Sequence, residues 1–180
     1  MLSEFSLACT QNLLLPTNHA SIVGIPSKMG KQPRIEVIAR GLLLDGGRVL
    51  MCKNIKSGYF YLPGGHVEFA ERARDALERE IKEETGLASS IGPLILTTEQ
   101  CFDDGKRIHH ELNTVFHVEH IGTDKAPPLQ VPSIEDHIQF VWVDLAELPG
   151  CDVRPAEIKA WLMSGGAIDD RHGQWLSGFE

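Results

Sequence analysis

A chain of 180 residues, 42% hydrophobic and 23% charged, is sized for a single domain with a substantial core and is too short for two large ones. Its 25 acidic against 17 basic side chains give a formal charge of -8, which argues against a polynucleotide-binding surface but leaves small anionic substrates open if metal ions bring positive charge locally. Cys9, Cys52, Cys101 and Cys151 show no Cys-x-x-Cys spacing, against a zinc ribbon or disulfide framework and in keeping with a reducing cytoplasm, and no apolar stretch approaches the roughly 20 residues of a membrane span.

Residues 1–28 mix Ser, Asn and Thr with short apolar pieces and lack the plan of a secretory signal, so they read as a peripheral extension, with Met29 opening the domain proper at 29–180. Ile35 to Leu44 is β-prone, Asp45-Gly46-Gly47 supplies a turn, and Arg48 to Lys53 returns, predicting a hairpin. Tyr59 to Leu62 is a short aromatic strand stopped by Pro63-Gly64-Gly65. A helix from Glu71 to Thr85 follows, with Gly86 at the C-terminal stop. Strands at Leu94 to Phe102 and Ile108 to Glu119 flank Asp103-Asp104-Gly105, and a Pro-rich loop runs from Ala126 to Pro132. A last strand, Ile138 to Val143, a turn at Leu145 to Leu148 and a helix at Pro155 to Met163 complete the pattern. Strands on both sides of a central helix predict an α/β class, a mixed sandwich.

On a helical wheel Ala70, Ala73, Ala76, Leu77 and Ile81 form the core stripe, and Glu80 and Glu84 fall inside the same arc with Glu83 at its border. Burying unpaired carboxylates costs several kcal/mol unless a cation compensates. Three hard oxygen donors on adjacent turns suit Mg²⁺ or Mn²⁺. The alternative is a solvated charged face paired with Arg79 and Lys82.

Gly65, Glu71 and the run Arg79-Glu80-Ile81-Lys82-Glu83-Glu84-Thr85-Gly86-Leu87 stand at the spacing of the Nudix box, and the chain resembles the Nudix hydrolase superfamily from about Ile35 to Leu148. The resemblance implies a Nudix-type α/β/α sandwich with a mixed β-sheet. It further implies metal ligation by Glu80, Glu83, Glu84 and the Gly65 carbonyl, an orienting role for Arg79, and a Glu71 that stabilises the loop-helix junction. Ala70 stands where family members often carry glycine.

The implied activity is metal-dependent hydrolysis of a phosphoanhydride in a nucleoside diphosphate-linked substrate, a nucleoside triphosphate being favoured over ADP-ribose or another nucleotide sugar. The rival from a different class is a Nudix-fold sensor that binds nucleotide without cutting it. The stretch Cys101 to Gly105 has neither the proline of ADP-ribose enzymes nor the tyrosine of dinucleoside polyphosphate enzymes. A small-molecule nucleotide is thus the expected partner, with no polynucleotide and no membrane, and a homodimer stays open.

Around the box, His66, Phe60 and Tyr61 are candidates for substrate contact, whereas Trp142, Trp161 and Trp175 read as packing residues and His109-His110 as strand-surface or hydrogen-bonding residues. Activating the attacking water needs a base, for which Glu111, Glu135 and Asp136 are candidates. Along Ile108 to Val118 the apolar residues Ile108, Leu112, Phe116 and Val118 face one way and His109, Glu111, Asn113 and His117 the other. Glu111 is favoured as base or auxiliary metal ligand, because a strand fixes a carboxylate more reproducibly than a loop.

Overall fold

The structure, a computed structural model, describes residues 34–123, 126–165 and 173–177, so the 1–28 extension lies outside the described residues. Its elements are β1 Ile35–Leu42, β2 Leu44–Asp45, β3 Arg48–Asn54, β4 Phe60–Tyr61, α1 Ala73–Thr85, β5 Ser89–Asp103, β6 Ile108–Ile121, β7 Ile138–Asp144, a 3-10 turn at Leu148–Gly150, α2 Ala156–Met163 and β8 Gln174–Ser177. One sheet runs in the order β1-β6-β5-β8, with β1 and β6 parallel; in the other, β3 pairs with β2, β4 and β7.

The layering follows from β3. Val49, Leu50, Met51 and Cys52 are all fully buried. Successive strand residues point to opposite faces, so a strand with no polar face must be covered on both. Leu50 and Cys52 join the core under α1 with Ala76, Leu77 and Ile81, while Val49 and Met51 join the core under α2 with Ile158, Trp161 and Leu162. The result is a sheet region held between two helices, the α/β sandwich expected. Neither helix is long and apolar enough to cross a membrane.

The predicted hairpin is present only as the β2–β3 pair, Leu44 with Val49 and Asp45 with Arg48, closed by Gly46 and Gly47 at φ 54° and 86°. β1 does not continue into it, because both edges of β1 are taken elsewhere. One edge meets β6, in a register from Ile35 opposite His110 to Leu42 opposite His117. The other meets the glycine loop: Gly41 N–H donates to Pro63 O at 2.8 Å, Ala39 N–H to Gly65 O at 2.9 Å, and Val67 N–H to Val37 O at 2.9 Å. β8 has no counterpart in the sequence reading; the side chain of Trp175 within it lies outside the described residues.

The central helix begins two residues later than expected, at Ala73, and ends at Gly86, whose φ of 75° lets its N–H reach Lys82 O at 2.8 Å. Ala70 is therefore not part of the core stripe: it is exposed, before the helix, at φ 65°. A Cβ in that left-handed region costs roughly 1–2 kcal/mol, which gives a physical reason for glycine there. Ala70→Gly should accordingly stabilise the fold by about 1 kcal/mol net, a rise of about 2–4 °C in Tm for a domain of this size. Thermal unfolding checks this; an unchanged or lower Tm would count against the strain.

Candidate active site

Helix α1 presents its acids at three depths. Glu83 is exposed, the Glu80 side chain is 19% exposed, and Glu84 is buried at 7%. The buried Oε2 of Glu84 has no hydrogen-bond partner. Burial first, then the charge of Glu80, pushes the Glu84 carboxyl up from 4.5 to about 7, against weaker opposition from Arg40 and a hydrogen bond with the Gly64 backbone. An orphaned acid next to another acid is a poor arrangement for stability and a good one for a cation.

Arg79 organises what surrounds these acids. Its Nε and Nη2 donate to the two oxygens of Glu71 at 2.9 and 3.0 Å, its Nη1 to Glu80 Oε1 at 2.9 Å and Glu83 Oε2 at 3.2 Å, and Nη2 also to His66 O at 3.1 Å. Glu71 in turn accepts from the Glu68 N–H at 3.0 Å; the Arg79 hydrogen bond, then that backbone bond, hold its carboxyl down at about 2. Glu71 thus pins the loop-helix junction.

The loop itself fits only glycine. A Cβ on Gly64 would stand 2.2 Å from Ala39 O, and one on Gly65 would stand 2.4 Å from the Glu80 carboxyl carbon. The Gly65 carbonyl, expected as a metal ligand, accepts from Ala39 N–H and keeps a second lone pair.

Beside the loop opens a cleft of about 690 Å³. Gly64, Gly65 and His66 line it together with Tyr59, Tyr61, Arg40, Phe102, Gln100, Glu111, His137 and Arg154. Burial, then proximity to Cys52, raises the Tyr61 hydroxyl pKa, so it stays a neutral phenol. Phe60, adjacent in β4, points the other way and packs with the α2-side core, so it does not border the cleft as expected. Trp142 and Trp161 are packing residues, the former donating from Nε1 to Pro128 O at 3.0 Å.

On the odd-numbered face of β6, Glu111 lines the cleft and is not in plain solvent. Asn113 on that face is fully buried. Register places Glu111 beside Glu36 on β1 and Gln100 on β5, and Asn113 beside Ile38 and Thr98. A chain of contacts results: Arg40 Nε to Asn113 Oδ1 at 3.4 Å, Asn113 Nδ2 to Glu111 Oε2 at 3.5 Å, and Gln100 Nε2 to the same oxygen at 2.7 Å.

Glu36, His109 and Glu111 offer donor atoms within 4.8 Å of one another. Glu36 is already compensated, by Arg107 at 2.9 Å, Arg34 at 3.3 Å and His109 Nδ1 at 2.9 Å, so the cluster has no charge deficit to fill. The hydrogen bond to Glu36 raises the His109 pKa, and His109 Nε2 meets Asp104 at 3.2 Å.

Of the candidate bases, Glu111 faces the cleft, but the downstream acid whose field reaches Glu84 is Glu135. The loop carrying Glu135 is tied to the helix through Ile134 N–H donating to Glu84 O at 2.7 Å, which removes much of the advantage allowed to a strand. Sequence reasoning missed Arg40, Gln100 and the loop anchor. An arginine amid the apolar residues of β1 was the available signal.

A glycine loop laid against a helix of acids, inside a sheet region sandwiched by two helices, defines a Nudix-type site. The NUDIX domain family matches residues 33–162, and the chain belongs to that family as a Nudix hydrolase. A relative from Mycobacterium tuberculosis named "Putative 8-oxo-dGTP diphosphatase 2" is 27% identical over 144 residues, covering 74% of this chain and 94% of its own. An ADP-ribose pyrophosphatase from Methanocaldococcus jannaschii is 40% identical over 62 residues, 33% of this chain and 37% of its own. Among solved structures, a MutT NUDIX hydrolase from Burkholderia pseudomallei superposes with a TM-score of 0.58 at 22% identity, covering 71% of this chain and 96% of that one. This last likeness supports the fold.

The Glu84 carboxyl has a direct consequence for stability. Its pKa is higher folded than unfolded, so the folded state binds the extra proton between about 4.5 and about 7, and stability falls as pH rises through that window. The full rise corresponds to roughly 3 kcal/mol. Without metal, Glu84→Gln should therefore flatten the pH dependence and stabilise the protein near pH 8 by about 1–3 kcal/mol. Urea unfolding in chelator from about pH 5 to about pH 8 tests this; a wild-type profile flat over that range would contradict it.

Proposed function

We propose that this enzyme is a divalent-metal-dependent pyrophosphohydrolase of nucleoside triphosphates, and the observation that carries the reading is the orphaned Glu84 carboxylate oxygen buried beside Glu80 and the glycine loop. The donor set fits a hard cation: Glu80, Glu83, Glu84 and the free lone pair of Gly65 O are all oxygens, suited to Mg²⁺ or Mn²⁺. When bound, such a cation neutralises phosphate charge and lowers the pKa of the attacking water.

The chain's own groups do the rest. Arg79 holds Glu80 and Glu83 in line by hydrogen bonds from one nitrogen, and the main-chain bonds of β1 fix Gly65 against Glu80. A carboxylate takes a proton from water, the water oxygen adds to phosphorus, the anhydride P–O bond breaks, and a nucleoside monophosphate and pyrophosphate leave. Glu135 is the better candidate for that carboxylate, supported by its coupling to Glu84 and the tethered loop; Glu111 is then free to contact substrate. His66 and Tyr61 border the same cleft.

The triphosphate reading draws support from the mycobacterial relative, matched over nearly its whole length, whereas the match to the ADP-ribose enzyme covers about a third of each chain. The free cysteines Cys52, Cys101 and Cys151 accord with a reducing cytoplasm.

Turnover of a nucleotide panel, read as released phosphate or pyrophosphate, should require Mg²⁺ or Mn²⁺ and vanish in excess chelator. Glu80→Gln and Glu84→Gln should each lower kcat by about 10² or more while keeping side-chain shape. Near-normal turnover in both would make the carboxylates structural. For the base, Glu135→Gln should lower kcat and remove the dependence of rate on a basic group, with Glu111→Gln acting more on KM. Loss of that dependence in the Glu111 variant alone would return the role to the strand.

A further inference from the structure

Arg40 is a cation with no carboxylate in direct contact, the acid that feels its charge being Glu84. It lies on β1 between buried Ala39 and Gly41, partly buried itself, and desolvating a guanidinium is costly unless something compensates. Among the described residues it forms no salt bridge. Its partners are neutral: Nη1 donates to Gly64 O at 2.6 Å and Leu62 O at 3.3 Å, Nε to Asn113 Oδ1 at 3.4 Å, and the ring of Tyr61 lies 5.2 Å from its central carbon. By contrast Arg154, the other arginine lining the cleft, is held by Asp152 at 2.8 Å.

These contacts fix the guanidinium from one side. Nη2 makes no hydrogen bond among the described residues and is not sealed in the core, so it is left open at a residue that lines the cleft beside Gly64 and Gly65. In a protein of formal charge -8, a prealigned guanidinium that has no direct ion pair and keeps one nitrogen open beside the acids is matched to an anion arriving with the metal. Holding the loop does not explain it, since the loop is already bonded to the main chain of β1 at three points.

We propose that Arg40 is a substrate-binding residue whose Nη2 donates to a phosphoryl oxygen next to the scissile anhydride. This rests on the pyrophosphohydrolase reading and adds to it a contact made by the protein itself. Arg40→Gln removes the charge and leaves an amide donor near the place of Nε, beside Asn113; Arg40→Lys keeps the charge and loses the planar fork.

The test is calorimetric binding of imidodiphosphate in the presence of Mg²⁺, with Tm and kcat/KM for dGTP measured on the same preparations. Arg40→Gln should bind at least about tenfold more weakly at an unchanged Tm and lose about 10² in kcat/KM, with Arg40→Lys between it and wild type. Imidodiphosphate affinity within twofold of wild type in Arg40→Gln, or equal losses in the Gln and Lys variants, overturns the assignment. Should Arg40→Gln not fold, Arg40→Lys decides, a threefold to tenfold loss supporting the contact and an unchanged affinity overturning it. Metal-dependent hydrolysis intact in wild type with Arg40→Gln unaffected sinks this inference alone, whereas wild type inactive on every nucleotide sinks the parent reading with it.

Discussion

The structure depends on how closely the Pro63-Gly64-Gly65 segment lies along β1. Main-chain hydrogen bonds at Val37, Ala39 and Gly41 draw the segment in until no Cβ fits at either glycine. That approach decides where the Gly65 carbonyl points, how near Glu80 comes to it, and which edge of β1 is left for β6. The parallel β1–β6 pairing then determines which side chains of β6 wall the cleft, so substrate face and acid cluster follow from one backbone contact.

Electrostatics is arranged in the same region as a set of unequal compensations. Arg79 satisfies Glu71, Glu80 and Glu83 from a single guanidinium, and Glu36 is answered by Arg107, Arg34 and His109. Glu84 is answered by nothing comparable, and stays buried with its carboxyl shifted towards neutrality. Buried polar groups are normally satisfied, so an exception at the contact between a glycine loop and a helix supports the cation site proposed there.

Most of this was legible in the residues. The spacing from Gly65 to Leu87 identified the family, the 3.6-residue period located α1 and its misplaced acids, and the Gly46-Gly47 turn was read correctly. What escaped was long-range. Nothing local reveals that β1 pairs with β6 and the loop instead of folding back on β3, because the hydrophobic alternation of β1 is compatible with either neighbour. Ala70 falls in the core stripe by its phase on a helical wheel, which holds only if the helix reaches it, and its positive φ comes from the tight entry into α1. The burial of Asn113 was not legible because a period-2 pattern separates faces without saying what covers them. The anchoring of the Glu135 loop was not legible either, because the loop reads as free until Ile134 is seen bonded to the end of α1.

The parallel pairing of β1 with β6 also orders events in time. Arg40 and Asn113 are 73 positions apart, and the β1 register is made with partners of similar separation. Closing so long a loop carries an entropy cost that neighbouring pairings such as β2–β3 avoid, and contacts of high sequence separation slow folding. During synthesis from the N-terminus, β1 leaves the ribosome well before β6 exists, and the backbone groups of that edge stay unpaired until it does. The acid helix and glycine loop are complete as sequence by Gly86, yet the cleft they serve takes shape only when β6 arrives. Catalytic competence is therefore a late acquisition of this chain, gained with assembly of the sheet and not with the motif.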